Sequence, residues 1–350
     1  MKKDIKNMTF EETLGLFASL NEPHYRADEL FKAIYREKKE SFNEITTLSK
    51  DLRAKLDRSF YIYIFKEISR KESQDDTIKY VFELEDKKLI ESVIIKNKNI
   101  KGRIWNTACL STQVGCSLGC KFCATGKMGL LRNLEAGEIV EQFLQLEKRA
   151  PISNIVFMGM GEPLLNYENT KKAIEILTDK HGRALGKRKI TISTSGIIRN
   201  IYKLTDEIKG VNLAISLHSA IQSKRDFLME GLKHEPLKDL KDALLYYINN
   251  ATNTVTLEYL LLDDINDKKE DLLALIKFAK TLKNVKVNLI HYNKIDGVNF
   301  SESKREIFFE KELLKNGIRA TLRFSKGTDV SAACGQLATH IKTDSKDFHI

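Results

Sequence analysis

Apolar residues in the first hundred positions recur at helical spacing and then switch to alternation. Phe10, Leu14 and Phe17 mark one helix, and Leu30, Phe31, Ile34 and Tyr35 mark a second, with Pro23 between them. A third helix is predicted over Lys50 to Arg58. Alternating stretches follow at 61–68, 78–84 and 89–96, joined by charged turns such as Gln74-Asp75-Asp76, which predicts an antiparallel meander. From about Thr107 the pattern becomes strand, loop and helix in repetition. Strands are predicted at 108–113, 154–158, 189–193, 212–217, 255–262, 285–290 and 319–323. Helical stripes lie between them, for example Ile139, Val140, Phe143 and Leu146, then Leu272, Ile276, Ala279 and Leu282. Such alternation predicts an α/β fold, a parallel sheet with helices outside it. Periodicity leaves a barrel and an open sheet equally open.

The chain thus divides into a small α+β unit at 1–95, a larger α/β unit at 96–341 and a loose tail at 342–350. Its 350 residues suffice for one large domain and a small one. No uncharged apolar run suggests a membrane span, and the first residues lack the apolar stretch of a secretory signal. Five cysteines, three of them in a tight triplet, argue against a disulfide framework and for a reducing cytosol. Of the net charge of +10, residues 101–200 carry +7, with 15 Lys and Arg against 8 Asp and Glu. Lys121, Lys127, Arg132 and the run Lys187-Arg188-Lys189 belong to that excess. Concentrated positive charge suits a polyanion such as RNA, although a basic protein without a nucleic-acid partner fits the charge equally well.

The candidate chemistry centres on Cys116-Ser-Leu-Gly-Cys120-Lys-Phe-Cys123. Three thiolates on one short loop are one fewer than an ordinary iron–sulfur cluster takes, and one fewer than a closed zinc site needs. An incomplete set leaves an open coordination position. A structural zinc site would want a second pair nearby, whereas Cys109 and Cys334 stand alone in the sequence. A redox dithiol would use two of the three cysteines and leave the third unexplained.

Polar residues cluster where the predicted strands end, the edge on which parallel α/β folds build their sites. They are Gly161 and Glu162 in Met158-Gly-Met-Gly-Glu-Pro163, then Ser193, then Ser216-Leu217-His218, then Asn293. Each alone reads more readily as a turn or helix cap.

The triplet, with an aromatic residue before its last cysteine, resembles the cluster loop of radical S-adenosylmethionine (SAM) enzymes. The strings Cys109-Leu-Ser-Thr-Gln-Val-Gly-Cys116, Gly159-Met-Gly-Glu-Pro-Leu-Leu-Asn166 and Asp329-Val-Ser-Ala-Ala-Cys334-Gly-Gln-Leu337 are similar to the RlmN/Cfr family. That resemblance runs from about Glu22 to Leu337. It implies a partial (βα)6 radical SAM barrel, with a small N-terminal α+β accessory domain that docks RNA through the Tyr25-Arg26 helix. It implies a [4Fe–4S] cluster on Cys116, Cys120 and Cys123, and SAM held by Gly161, Glu162, Ser193, Ser216, Leu217, His218 and Asn293. The implied activity is methylation of an adenosine in 23S rRNA and tRNA by a cytoplasmic monomer served by a cellular thiol or electron-transfer reductant.

The implied chemistry follows from the target, since carbon 2 of adenine has no lone pair with which to attack SAM. Cys334 first takes a methyl group from one SAM. A second SAM yields a radical that removes hydrogen from that methyl, and the carbon adds to the ring. Glu91, on the strand before Cys109, takes the ring proton. Cys109 then attacks Cys334, releasing product and leaving a disulfide for cellular reductants to reopen. Pro163-Leu-Leu-Asn166 resembles the carbon-2 branch, and carbon 8, or a substrate other than RNA, is the alternative. Two stretches depart from the family: 96–106, longer and more basic than usual, and Met229-Glu-Gly-Leu-Lys-His-Glu235.

Overall fold

The computed structural model describes residues 2–99, 101–251 and 254–338. The expected tail at 342–350 lies outside them. Its main sheet has ten strands, here β1 (Lys66–Glu72), β2 (Ile78–Glu83), β3 (Leu89–Lys98), β4 (Ile104–Cys109), β5 (Ile152–Phe157), β6 (Ile190–Thr194), β7 (Asn212–Ser216), β8 (Val255–Leu260), β9 (Val285–Ile290) and β10 (Arg319–Arg323). Their spatial order is their chain order. β1 to β4 form an antiparallel meander, and β4 to β10 are parallel. Among the described residues β1 and β10 do not pair, so the sheet curls without closing. Six βα units followed by β10 make the partial barrel expected.

Most elements fall where periodicity puts them, β9 and β10 to the residue. Two boundaries move. The expected strand at 108–113 is β4 at 104–109, because Leu110 onward turns into the cluster loop. The expected strand at 61–68 is β1 at 66–72, and Phe60–Tyr61 instead pairs in parallel with Lys3–Asp4. Residues 96–98 and 104–106 of the long basic stretch face each other in one hairpin, β3 pairing with β4 from Val93↔Cys109 to Lys98↔Ile104. β3 therefore crosses residue 95, and one sheet continues from the meander into the parallel part.

Helices over Phe10–Ser19, Tyr25–Tyr35 and Lys50–Ser59 precede the sheet. The first is capped by Thr9 and Glu12 in a reciprocal box. Phe10 stacks on His181 at 3.8 Å, and a fully buried Lys6–Glu141 ion pair of 2.5 Å ties the N-terminal segment to the barrel helix Ala136–Arg149. That helix buries Ile139, Val140, Phe143 and Leu146 against the sheet. No described helix is long and apolar enough to cross a membrane.

Candidate active site

Parallel strands end on one rim, so residues far apart in sequence meet there. A cleft with about 1050 Å³ of empty space lies inside that rim. Cys116, Cys120 and Cys123 line it, together with Gly161, Glu162, Ser193, Ser216, His218, Asn293 and Cys334. Leu217 does not, because its side chain is buried in the core and its N–H bonds Glu258 O at 3.0 Å. Cys109 and Glu91 lie behind the wall, 5% and 2% exposed.

The cysteine loop is packed backbone to backbone. A Cβ on Gly126 would stand 2.9 Å from Cys120 N, and one on Gly231 would stand 2.8 Å from Leu118 Cα. Leu228 and the start of the stretch 229–235 supply this support: Met229 bridges Cys120, Lys121 N–H donates to Leu228 O, and Gly231 N–H donates to Leu118 O. The departure of that stretch from the family pattern thus falls on a brace of the loop.

Around the rim each polar group is held. Glu162 is buried, and its carboxylate accepts from Leu164 N (3.0 Å) and Ser195 N (2.7 Å). Burial pushes its pKa up, and these bonds oppose the rise. Gly161 has φ +96, and a Cβ there would stand 2.5 Å from Gln113 Cβ, so only glycine fits this turn. His218 Nδ1 accepts from Leu260 N at 3.0 Å, which puts the imidazole proton on Nε2. Burial pushes the pKa of His218 down to about 3, so the ring is a neutral donor. Asn293 Nδ2 donates to Ser325 Oγ (2.8 Å) and Cys334 O (3.4 Å), touching the loop that carries Cys334.

Two residues that sequence reasoning passed over complete the wall. Arg323, at the end of β10, faces the cleft, and its cationic form is favoured first by the Cys334 sulfur, then by Glu258 and Cys109. Glu258, on β8, bonds Asn288 through one oxygen at 3.0 Å, while its buried Oε2 has no partner among the described residues. Inward alternation of strands ending at the rim was the signal available for both. Behind them, burial and then Cys334 push the Cys109 thiol up to about 12, against the pull of Arg323. The basic run 187–189, by contrast, precedes β6 and so lies at the opposite end of the sheet from the cleft. Arg132 is already paired with Asp86 and Glu138.

Residues 110–278 match the Radical SAM superfamily, and residues 3–62 match the Ribosomal RNA large subunit methyltransferase N-terminal domain. A protein of Caldanaerobacter subterraneus, described as "Probable dual-specificity RNA methyltransferase RlmN", is 44% identical over 95% of this chain and 97% of its own. Its Thermotoga maritima counterpart is 44% identical over 96% and 97%. The chain belongs to the RlmN family. A crystal structure of a radical SAM methyltransferase from Sphaerobacter thermophilus shares the fold, with TM-score 0.89, 37% identity and coverage of 96% and 99%.

Radical SAM enzymes such as the RlmN family use a [4Fe–4S] cluster and SAM. The residues here fit both. Cys116, Cys120 and Cys123 share the cleft on one short loop, and a cluster held by these three would leave one corner for SAM. Burial pushes the thiols of Cys116, Cys120 and Cys123 up, so their ionisation would need the charge of a bound cationic centre. Among the described residues no group of three His, Cys, Asp or Glu is arranged to hold a metal ion. Glu162 offers acceptors to an ammonium group, and Ser193, Ser216 and His218 offer donors. Replacing Cys120 by alanine is expected to cut iron and sulfide retained after anaerobic reconstitution to below about one-tenth. Full loading of that variant would remove Cys120 from the ligand set.

Proposed function

We propose that this protein methylates carbon 2 of an adenosine in RNA, acting on 23S rRNA and tRNA, with Cys334 as carrier of the methyl carbon. The observation that carries this reading is the meeting of Cys334, Cys109 and Arg323 beside the cysteine-lined cleft, although the two cysteines are 225 positions apart. The relatives described as dual-specificity RNA methyltransferases support the substrate class.

Cluster and SAM, when bound, supply the methyl group and the one-electron chemistry that activates it, with two SAM consumed per turnover. The chain's own groups do the rest. Cys334 holds the carbon at the cleft wall, with the Arg323 guanidinium beside it. Glu91 accepts the ring proton. The Cys109 thiolate then attacks Cys334 sulfur: an S–S bond forms, the C–S bond breaks with its electron pair going to carbon, that carbon takes up a proton to become the methyl group, and product leaves. A two-electron thiol reductant reopens the pair. Pro163-Leu-Leu-Asn166 bears on the carbon-2 assignment through scaffold rather than contact. Asn166 is buried and donates at 2.7 Å to both Thr112 O and Leu134 O, which ties the glycine-rich turn to the approach of the cysteine loop. Exposed Tyr25, with Arg26 4.8 Å over its ring, suits a small N-terminal unit that docks RNA. A cytoplasmic monomer completes the reading, the N-terminal unit and the barrel sharing one sheet because β3 crosses the expected boundary at residue 95.

Cluster-loaded protein given methyl-labelled SAM should carry label on the Cys334 peptide and then pass it to RNA as 2-methyladenosine. Label found as 8-methyladenosine would move the assignment to carbon 8, and label absent from Cys334 would end the carrier role. Cys109→Ala should accumulate an RNA–protein adduct that survives denaturation. Normal turnover without that adduct would exclude Cys109 as the resolving thiol.

A further inference from the structure

The loop that carries Cys334 rests on the β1–β2 turn, through two aspartates that clasp each other's backbone. Asp75, in the turn, accepts from Gly327 N in the loop at 2.9 Å. Asp329, in the loop, accepts from Ser73 Oγ and, at 3.2 Å, from Gln74 N in the turn. The same carboxylates order their own segments, since Asp75 also accepts from Thr77 N at 3.0 Å. Gly327 sits at φ +70 so close to Thr77 that a Cβ would come within 2.8 Å of Thr77 Cγ2. Charge-assisted bonds of this kind hold two backbones in one register.

Lys79, one residue into β2, extends the clasp toward the chemistry. Its ammonium is 3.1 Å from Ser331 O in the loop and 3.2 Å from Glu91 Oε1. The other oxygen of Glu91 accepts from Ala338 N at 3.1 Å. Glu91 is therefore joined to the Cys334 loop on both sides of the cysteine, once directly and once through Lys79. The far side of the loop docks on the cluster loop, with Ala124 N–H donating to Gly335 O at 2.7 Å.

We propose that Asp75 and Lys79 are positioning residues, which seat the Cys334 loop and keep its sulfur in register with Glu91. They touch neither the cleft nor the cysteine triplet. The proposal rests on Cys334 and Glu91 having the roles given above, and its test separates the two. In cluster-loaded protein without SAM, amide exchange over 327–338 should quicken about tenfold or more in Asp75→Ala and in Lys79→Met. Iron content and SAM affinity should stay within twofold of the parent. Transfer of methyl to RNA should fall about tenfold or more in both variants, and Lys79→Arg should restore at least half of it. Unchanged exchange overturns the proposal, as does faster exchange with transfer within twofold of the parent. Loss of iron in both variants also overturns it, by showing a general scaffold role. If the parent's Cys334 never takes label, the carrier reading fails while the exchange result still decides whether the turn seats the loop.

Discussion

Replacing Cys334 by alanine is expected to bring RNA methylation below about one-thousandth of the parent rate, as loss of a covalent carrier does elsewhere. The variant should keep its iron and its SAM affinity, because Cys334 only lines the cleft, whereas the triplet and the Glu162 side are the groups proposed to hold the cofactors. Radioactivity from methyl-labelled SAM should then appear on neither protein nor RNA. The physical reason is the target atom: a ring carbon without a lone pair has no direct route to the donor methyl, so the carbon must be handed over from sulfur. Serine should not substitute, since an alkoxy carrier lacks the S–S exchange by which Cys109 releases product. Labelled RNA from Cys334→Ala would sink the mechanism.

Glu91→Gln is expected to slow transfer by about 10²- to 10⁴-fold, the usual worth of a positioned base. The parent should show a rate that climbs tenfold per pH unit on the acid side and levels above about 7. Burial drives that value: it pushes the Glu91 carboxyl up to about 7, against the attraction of Lys79 and, more weakly, Lys71. The sign is fixed by the role. A base works only when ionised, so activity belongs to the pH range above the raised pKa and is lost as protons return below it. Removing the ammonium in Lys79→Met should move the same limb to higher pH, because the ionised carboxylate loses its partner. A pH–rate profile of adduct formation checks both, and an unshifted acid limb in Glu91→Gln would assign the base elsewhere.

The parts of the site that were legible in the sequence are those made by local chain. Cys116, Cys120 and Cys123 lie within eight residues, so their spacing alone brings them to one loop. Strand ends were legible for a related reason: parallel β-strands must all finish on one rim, and Gly161, Glu162, Ser193, Ser216, His218 and Asn293 each follow or end such a strand. Leu217 was carried along with its neighbours, but alternation turns it into the core. Arg323 and Glu258 gave only the inward alternation of their strands as a sign. Each is one charged residue in a strand, and only the curl of the sheet turns both toward Cys334.

Charge was the poorer guide. The run 187–189 raised the net charge of the cysteine-bearing third, yet a whole strand carries the chain from that run to the rim. Sequence neighbourhood and spatial neighbourhood part company over the length of β6.

What the amino-acid order determined by itself was periodicity and spacing: three N-terminal helices, an antiparallel meander, six βα units with a last strand, and a three-cysteine loop with an open corner. These depend on contacts a few residues apart, which the hydrophobic pattern encodes directly. Only the tertiary structure decided that Cys109 lies buried beside Cys334, that residues 228–231 brace the loop of three cysteines, and that Asp75 accepts from Gly327 N of the Cys334 loop across more than 250 positions. Those meetings depend on how far the open sheet curls and on which backbone N–H finds which carboxylate, and no pattern within one segment carries that information.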